Sequence, residues 1–327
     1  MNIQQYCLMV DDEMKKAIVI LSLILFLPVC ATFASPAWYP LPQEKFQFGK
    51  MGKKYEEAQI LLFAFDYGHA LVYEKLLLRK GKPLENPREL EKEILNEILK
   101  ILEKRSTTTK LDEEDIAPNY VAQFSFAVSL FDLSHLLHQF VFDVLASSQD
   151  RGQKMIDRVN HIYADYRKYK SVILADKCKS MLFMDGHKFS KAFRKKFPSF
   201  NLLIWTYHWF QIRLYEDLMK PTKEERDKGV ATTVDLFWEY ISDLPDSAPF
   251  EMMPSMFEDA PTFSKKFPRI AASFDVNHML HDIVSDILVS ERVSLNEVMD
   301  VGSEMAAKAQ DPKEFALDKC PLEEAVQ

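Results

Sequence analysis

Glycine is scarce in this sequence, 8 residues among 327. So little glycine disfavours the turn-rich β folds and, beside abundant Leu, Lys, Glu and Ala, favours helices. Basic charge is also short: 41 Lys and Arg stand against 49 Asp and Glu, a formal charge of −8. With no basic face in the pattern, that balance argues against a nucleic-acid partner. There is no G-x-S-x-G, no Gly-rich phosphate loop, no Cys-rich zinc pattern and no C-x-x-C-H. Serine or cysteine nucleophile chemistry, phosphate cradling and covalent haem attachment therefore lack their signatures. Past residue 29 no charge-free apolar run reaches the ~18 residues that mark a membrane helix, so none is expected to span a membrane once the leader is removed.

The one long apolar run is near the N-terminus. From Met14 the chain reads "MKKAIVILSLILFLPVCATFAS", two lysines, then Ala17 to Val29, then small residues. Basic start, short apolar stretch and small-residue exit are the marks of a secretory signal peptide. The sequence predicts a leader over 1–34, with residues 1–13 as a spurious extension and cleavage after Ala31 or Ala34. The mature protein is then exported, periplasmic or extracellular. Cys7 and Cys30 go with the leader. Cys178 and Cys320 remain, in a compartment where pairing is allowed.

What is present is a repeat. "FDLSHLLHQFVFDVLAS" (131–147) and "FDVNHMLHDIVSDILVS" (274–290) agree at nine of seventeen positions without a gap. "LADKC" at 174–178 returns as "ALDKC" at 316–320, and "LLFAFDYGHALVYEKLL" (61–77) aligns with "LIWTYHWFQIRLYEDLM" (203–219), at offsets of 142 to 143. A period this long means duplication of a domain-sized unit and not a solenoid. The expected fold is an all-α helical bundle, built as a first repeat over 35–180 and a second over 181–327. Helices are expected near 55–80, 87–105, 119–147 and 150–177, and again near 200–220, 223–243, 266–290 and 293–310. A Pro/Met-rich loop, 244–261, is a candidate lid or binding element.

The chemistry sits on four of these helices. "FD..H" occurs three times, as Asp66 with His69, Asp132 with His135 and Asp275 with His278; the remaining helix has His208 with Gln211. Asp and His three apart share one helix face. At the helical period Asp132, His135, Gln139 and Asp143 form one narrow polar stripe on an otherwise apolar cylinder. Asp275, His278, Asp282 and Asp286 repeat it, as do Asp66, His69 and Tyr73, and His208, Gln211 and Tyr215. A helix apolar on nearly all sides is buried, so its polar stripe faces a partner, a cavity or an ion. Three readings follow: a metal or cofactor site, a polar layer that sets helix register, or a single solvated face. His138 and His281 fall off the stripes, which suggests a supporting or surface place for them. Glu74 and Glu216 also fall off.

Carboxylates and imidazoles converging from four helices suit iron, manganese or zinc. The pattern resembles the di-metal carboxylate four-helix bundles, in which two helices give a Glu and two give Glu-x-x-His. Here Asp stands in place of Glu and the Asp-x-x-His pair occurs on three helices. The resemblance implies a divalent transition metal, one ion or two, held by Asp66, His69, Asp132, His135, His208, Asp275 and His278. Tyr73 and Tyr215 would stand beside it as hydrogen-bond donors or redox-active groups. On this reading the protein is a metal-binding protein, with metal-dependent oxidoreduction as the activity such a site would support. The alternatives are a non-catalytic binding or scaffold protein with a structural Asp/His layer, and a non-covalent haem protein with His135 and His278 as axial ligands.

Overall fold

Proline sets where the helices begin. Pro87, Pro118, Pro198, Pro261 and Pro268 each open one, at the position where the missing N–H is no loss. The computed structural model describes residues 49–79, 86–104, 116–242, 254–290, 294–311 and 313, apart from the side chains of 65–67 and 101–104. All lie in one compact unit, Phe48–Gln327. The expected leader, residues 105–115, residues 243–253 and Cys320 lie outside the described residues.

Among the described residues the structure is helical throughout, with no strand. The first half carries α1 (Lys50–Lys54), α2 (Glu56–Leu78), α3 (Pro87–Lys104), α4 (Pro118–Gln123), α5 (Ser125–Ala146) and α6 (Gln153–Tyr166). After α7 (Met181–Asp185) come α8 (Ala192–Lys196), α9 (Pro198–Leu218), α10 (Lys223–Ser242), α11 (Met256–Asp259), α12 (Pro261–Lys266), α13 (Pro268–Val289) and α14 (Leu295–Gln310). None of the helices so described is long and apolar enough to cross a membrane.

Four long helices make the centre. α2 packs on α9 and α13, and α5 packs on the same two. Each is backed by one outer helix: α3 on α2, α6 on α5, α10 on α9 and α14 on α13. The outer helices are amphipathic. On α3, Leu90, Ile94 and Ile98 recur every four residues and are buried, while Glu89, Lys92 and Lys100 face out. Each such burial contributes ~1.5–3 kcal/mol. α13 differs in kind. Every residue from Ile270 to Val289 is buried, its Asp, His and Asn included, so the solvated-face reading fails for this helix.

Two expected helices change shape. The segment 119–147 breaks at Phe124, which leaves helical geometry (φ −112°, ψ 27°) between α4 and α5. The segment 150–177 stops at Tyr166. Beyond it Leu174 N–H donates to Tyr166 Oη (2.8 Å) and Ala175 N–H to the carbonyl of Ala309 (2.9 Å). Gln310 Nε2 donates to the carbonyls of Ser171 and Ile173. The chain leaves the helix to lie along the end of α14. The 244–261 stretch, expected as a loop, holds α11 within its described part.

Candidate metal centre

Six of the chain's eight histidines lie on the four central helices: His69 on α2, His135 and His138 on α5, His208 on α9, and His278 and His281 on α13. His69, His208 and His281 are buried, each with a ligand nitrogen within 4.8 Å of the other two. The His69 and His281 rings stack at 4.4 Å, and those of His69 and His208 lie nearly parallel at 5.9 Å. Around a tetrahedral ion at ~2.0–2.1 Å, ligand nitrogens stand ~3.3 Å apart. The three rings therefore need only modest inward adjustment to share one ion.

Burial holds the imidazoles of His208 and His281 neutral. His208 is pushed well below 6.5 by desolvation first, then by His278 and His69. His281 is pushed down by desolvation, then by His69 and His135. A neutral imidazole has one nitrogen lone pair to offer, the form a metal takes. His281 Nδ1 makes no hydrogen bond among the described residues. On a helical wheel His281 falls off the polar stripe. It belongs to the cluster because α13 is enclosed on every side, so every direction from it faces a neighbour.

Two more of the expected ligands stand against the trio. The His278 ring is 4.0 Å from that of His208, and the His135 ring 5.3 Å from that of His281. His278 Nδ1 donates to the carbonyl of Phe274 (2.7 Å), so its lone pair is on Nε2. Burial lowers His135 to about 4. His138 is buried too, at 4% exposure, and its ring is used up in hydrogen bonds. Tyr215, kept protonated by burial, donates to His138 Nδ1 (2.7 Å); that leaves Nε2–H for Ser134 Oγ (3.2 Å). Tyr73 Oη donates to the backbone carbonyl of His281 (2.9 Å) and accepts from Ser285 Oγ. Both tyrosines are thus buried hydrogen-bond donors, Tyr73 holding the cluster's backbone and Tyr215 holding His138.

The carboxylates go elsewhere. Asp275 Oδ1 accepts Met256 N–H (3.0 Å) at the start of α11. Asp286 accepts Lys191 N–H and Phe193 N–H, both at 2.7 Å, at the start of α8, and Asp143 accepts Met51 N–H (2.9 Å) in α1. Glu74 accepts Tyr120 N–H (2.8 Å) in α4, Glu216 accepts Thr262 N–H (2.9 Å) in α12, and Glu91 accepts Phe200 N–H (2.7 Å) in α9. None of these six helices has a side-chain cap from its own N-cap residue. Their first-turn N–H groups are satisfied by a carboxylate from another element. Asp132 is half-buried on α5, and the side chain of Asp66 lies outside the described residues. The expected mixed Asp/His set therefore divides: histidines gather, Asp143, Asp275 and Asp286 turn to helix N-termini, and Asp282 stands beside Arg194. Of the other histidines, His161 is exposed beside Asp165. His187 buries its imidazole 3.7 Å from Asp286.

No family model, no curated protein and no solved structure matches this chain.

Proposed function

We propose that this is an exported helical protein that holds one divalent transition metal between α2, α9 and α13 through His69, His208 and His281. The observation that carries it is the meeting of three buried imidazoles from three helices with ligand nitrogens within 4.8 Å. All-nitrogen ligation suits zinc or iron better than manganese. With the nearby carboxylates bonded to backbone N–H groups, a single ion fits better than a carboxylate-bridged pair. Three protein ligands leave a coordination position for water or a small substrate, as catalytic sites require. That opening supports metal-dependent chemistry, oxidoreduction with iron included. The capping bonds of Asp143, Asp275 and Asp286 favour a structural role for those carboxylates, alongside the metal.

Tandem duplication of a unit of about 142 residues is the companion reading. α4 and α5 run 118–123 and 125–146; α12 and α13 run 261–266 and 268–289. Asp143 to Met51 has its counterpart in Asp286 to Phe193, and Glu74 to Tyr120 in Glu216 to Phe263. Export is supported by the leader and by Cys178, which is disulfide-bonded; its partner lies outside the described residues.

Elemental analysis of the purified chain is the test. One equivalent of zinc or iron per chain is expected, lost on His208→Ala or His281→Ala. Protein that folds normally and takes up no ion, even when zinc is added, defeats the metal reading. N-terminal sequencing of exported protein should begin near Thr32 or Ser35; a mature chain still beginning at Met14 defeats the export reading.

A further inference from the structure

Few large apolar side chains stand well out in solvent among the described residues, and two of them are neighbours: Met181 at 44% and Leu182 at 58% exposure. They open α7, whose Phe183 and Met184 turn inward and are buried. One turn of helix therefore holds two apolar side chains outward at a single point.

The chain that follows is basic. Residues 186–196, "GHKFSKAFRKK", carry Lys188, Lys191, Arg194, Lys195 and Lys196 and no acid, in a sequence whose formal charge is −8. The fold fixes this segment beside α7. Phe193 is buried beneath α8, and Asp286 of α13 accepts the N–H groups of Lys191 and Phe193. Those anchors leave Lys188, Lys191 and Lys195 exposed. Asp185, at the end of α7, ties the two parts together: it accepts from Ser190 Oγ (3.0 Å) and pairs with Arg194 (3.2 Å) and Lys191 (3.3 Å). Glu297 of α14 pairs with Lys188, and the buried Asp282 lies 3.6 Å from Arg194. With these three acids set against the five cations, the corner is still positive by two charges.

We propose that this corner docks on an anionic phospholipid surface, with Met181 and Leu182 entering the boundary between headgroups and acyl chains and Lys188, Lys191 and Lys195 lying against the phosphates. An apolar projection rimmed by lysines is the make-up of an interfacial anchor. Each lysine near an anionic leaflet strengthens binding about fivefold, and salt screens it. A protein partner is the weaker fit. A stable interface takes ~800 Å² from each side around an apolar centre, and here the apolar part is two side chains. Nucleic acid would be repelled by the rest of the chain and offers nothing for Met181 and Leu182 to enter. The docking is peripheral and reversible, and it depends on neither the metal reading nor the export reading.

The test is co-sedimentation of the purified full chain with vesicles, either pure phosphatidylcholine or an equal mixture of phosphatidylcholine and phosphatidylglycerol, in 0.1 M salt. A protein of net charge −8 is repelled by the mixed vesicles unless one face of it is cationic, so binding there is diagnostic. Partition into the mixed vesicles at least about tenfold above that into phosphatidylcholine is expected, falling steeply at 0.5 M salt. Lys195→Glu and the double change Met181→Ser with Leu182→Ser should each weaken it by roughly tenfold. Lys228→Glu, an exposed position on α10, should change it little. Any pull from the N-terminal apolar run is common to every variant and cancels in the comparison. All the altered positions are exposed, and circular dichroism with urea midpoints checks that each variant keeps the parent fold. Equal partition into the two kinds of vesicle, or none into either, overturns the proposal. So does binding that ignores both the Lys195 and the Met181/Leu182 changes. Binding that falls with Lys195→Glu and is untouched by the apolar changes overturns the membrane assignment and turns the search to an acidic protein partner.

Discussion

At the residue scale, the difference between His138 and His281 shows how place decides chemistry. They are counterparts in the two copies of the repeated segment, and both are buried. His138 has both nitrogens engaged, by Tyr215 and Ser134. His281 stacks on His69 and meets His208 across the centre. The sequence put neither on a stripe, because a wheel assumes one inward face. That assumption serves α3 and fails for α13, where no face is outward. The signal that could have found His281 was the unbroken apolar character of the α13 cylinder itself. The aspartates misled for a related reason. A buried carboxylate needs donors, and the nearest were the uncapped first turns of short helices that hydrophobic periodicity does not detect. Asp286 makes this measurable. Its side chain is 1% exposed, and replacing it with Ala strands the N–H groups of Lys191 and Phe193. Loss of stability by ~2–4 kcal/mol is expected in urea unfolding, with Asp286→Asn costing less because one acceptor oxygen remains. Gly49 is tied to the same kind of contact in the first half. A Cβ there would overlap the Asp143 carboxylate, so Gly49→Ala should displace the cap of α1 and destabilise as well.

At the element scale, the long helices were legible and the short ones were not. The expected starts and ends of α2, α3, α9, α10, α13 and α14 fall within two or three residues of those found, because each is a long periodic run bounded by proline or a polar loop. The helices of four to six residues carry too few turns to show a period, and their stability comes from packing and from borrowed caps. Those caps give the second stability prediction. Glu74 serves α4, and Glu216 serves α12 at the matching place in the other half. Glu74→Ala should cost ~1–2 kcal/mol and Glu216→Ala, whose bonds are more exposed, ~1 kcal/mol. The two sites are on different elements with no shared partner, so the double variant should show the sum to within about 0.5 kcal/mol. A marked departure from additivity in the denaturation midpoints would mean that the two caps report on one coupled structure and not on two independent copies of the same joint.

At the scale of the whole molecule, the centre holds two opposing sets of ionisable groups, and their balance fixes how stability responds to pH in the metal-free protein. His135, His138, His208, His278 and His281 are all pushed below 6.5, by burial first. In the unfolded chain each takes up a proton near pH 6.5, while in the fold it stays neutral. Their contribution is present above pH 6.5 and is lost as pH falls. Asp275, Asp282 and Asp286 are raised by burial to about 7, 6 and 7. They hold protons in the fold that the unfolded chain releases near pH 4, so their contribution is present at low pH and is lost as pH rises toward 7. Between pH 4.5 and 6 the unfolded state therefore binds about two protons more than the fold, five imidazoles against three carboxyls, and stability must rise with pH. At 6.5 the unfolded imidazoles are still half protonated, so the rise continues; the ionisation of Asp275 and Asp286 then offsets it, and stability levels off a little above 7. Urea midpoints measured on chelator-treated protein at pH 5.0, 6.5 and 8.0 should be lowest at 5.0, with those at 6.5 and 8.0 higher and close together. A midpoint at pH 5.0 equal to or above that at 6.5 would show that the aspartates outweigh the histidines, or that the histidines are not neutral in the fold. Either result would remove the lone pairs, or the burial, on which the three-histidine site depends.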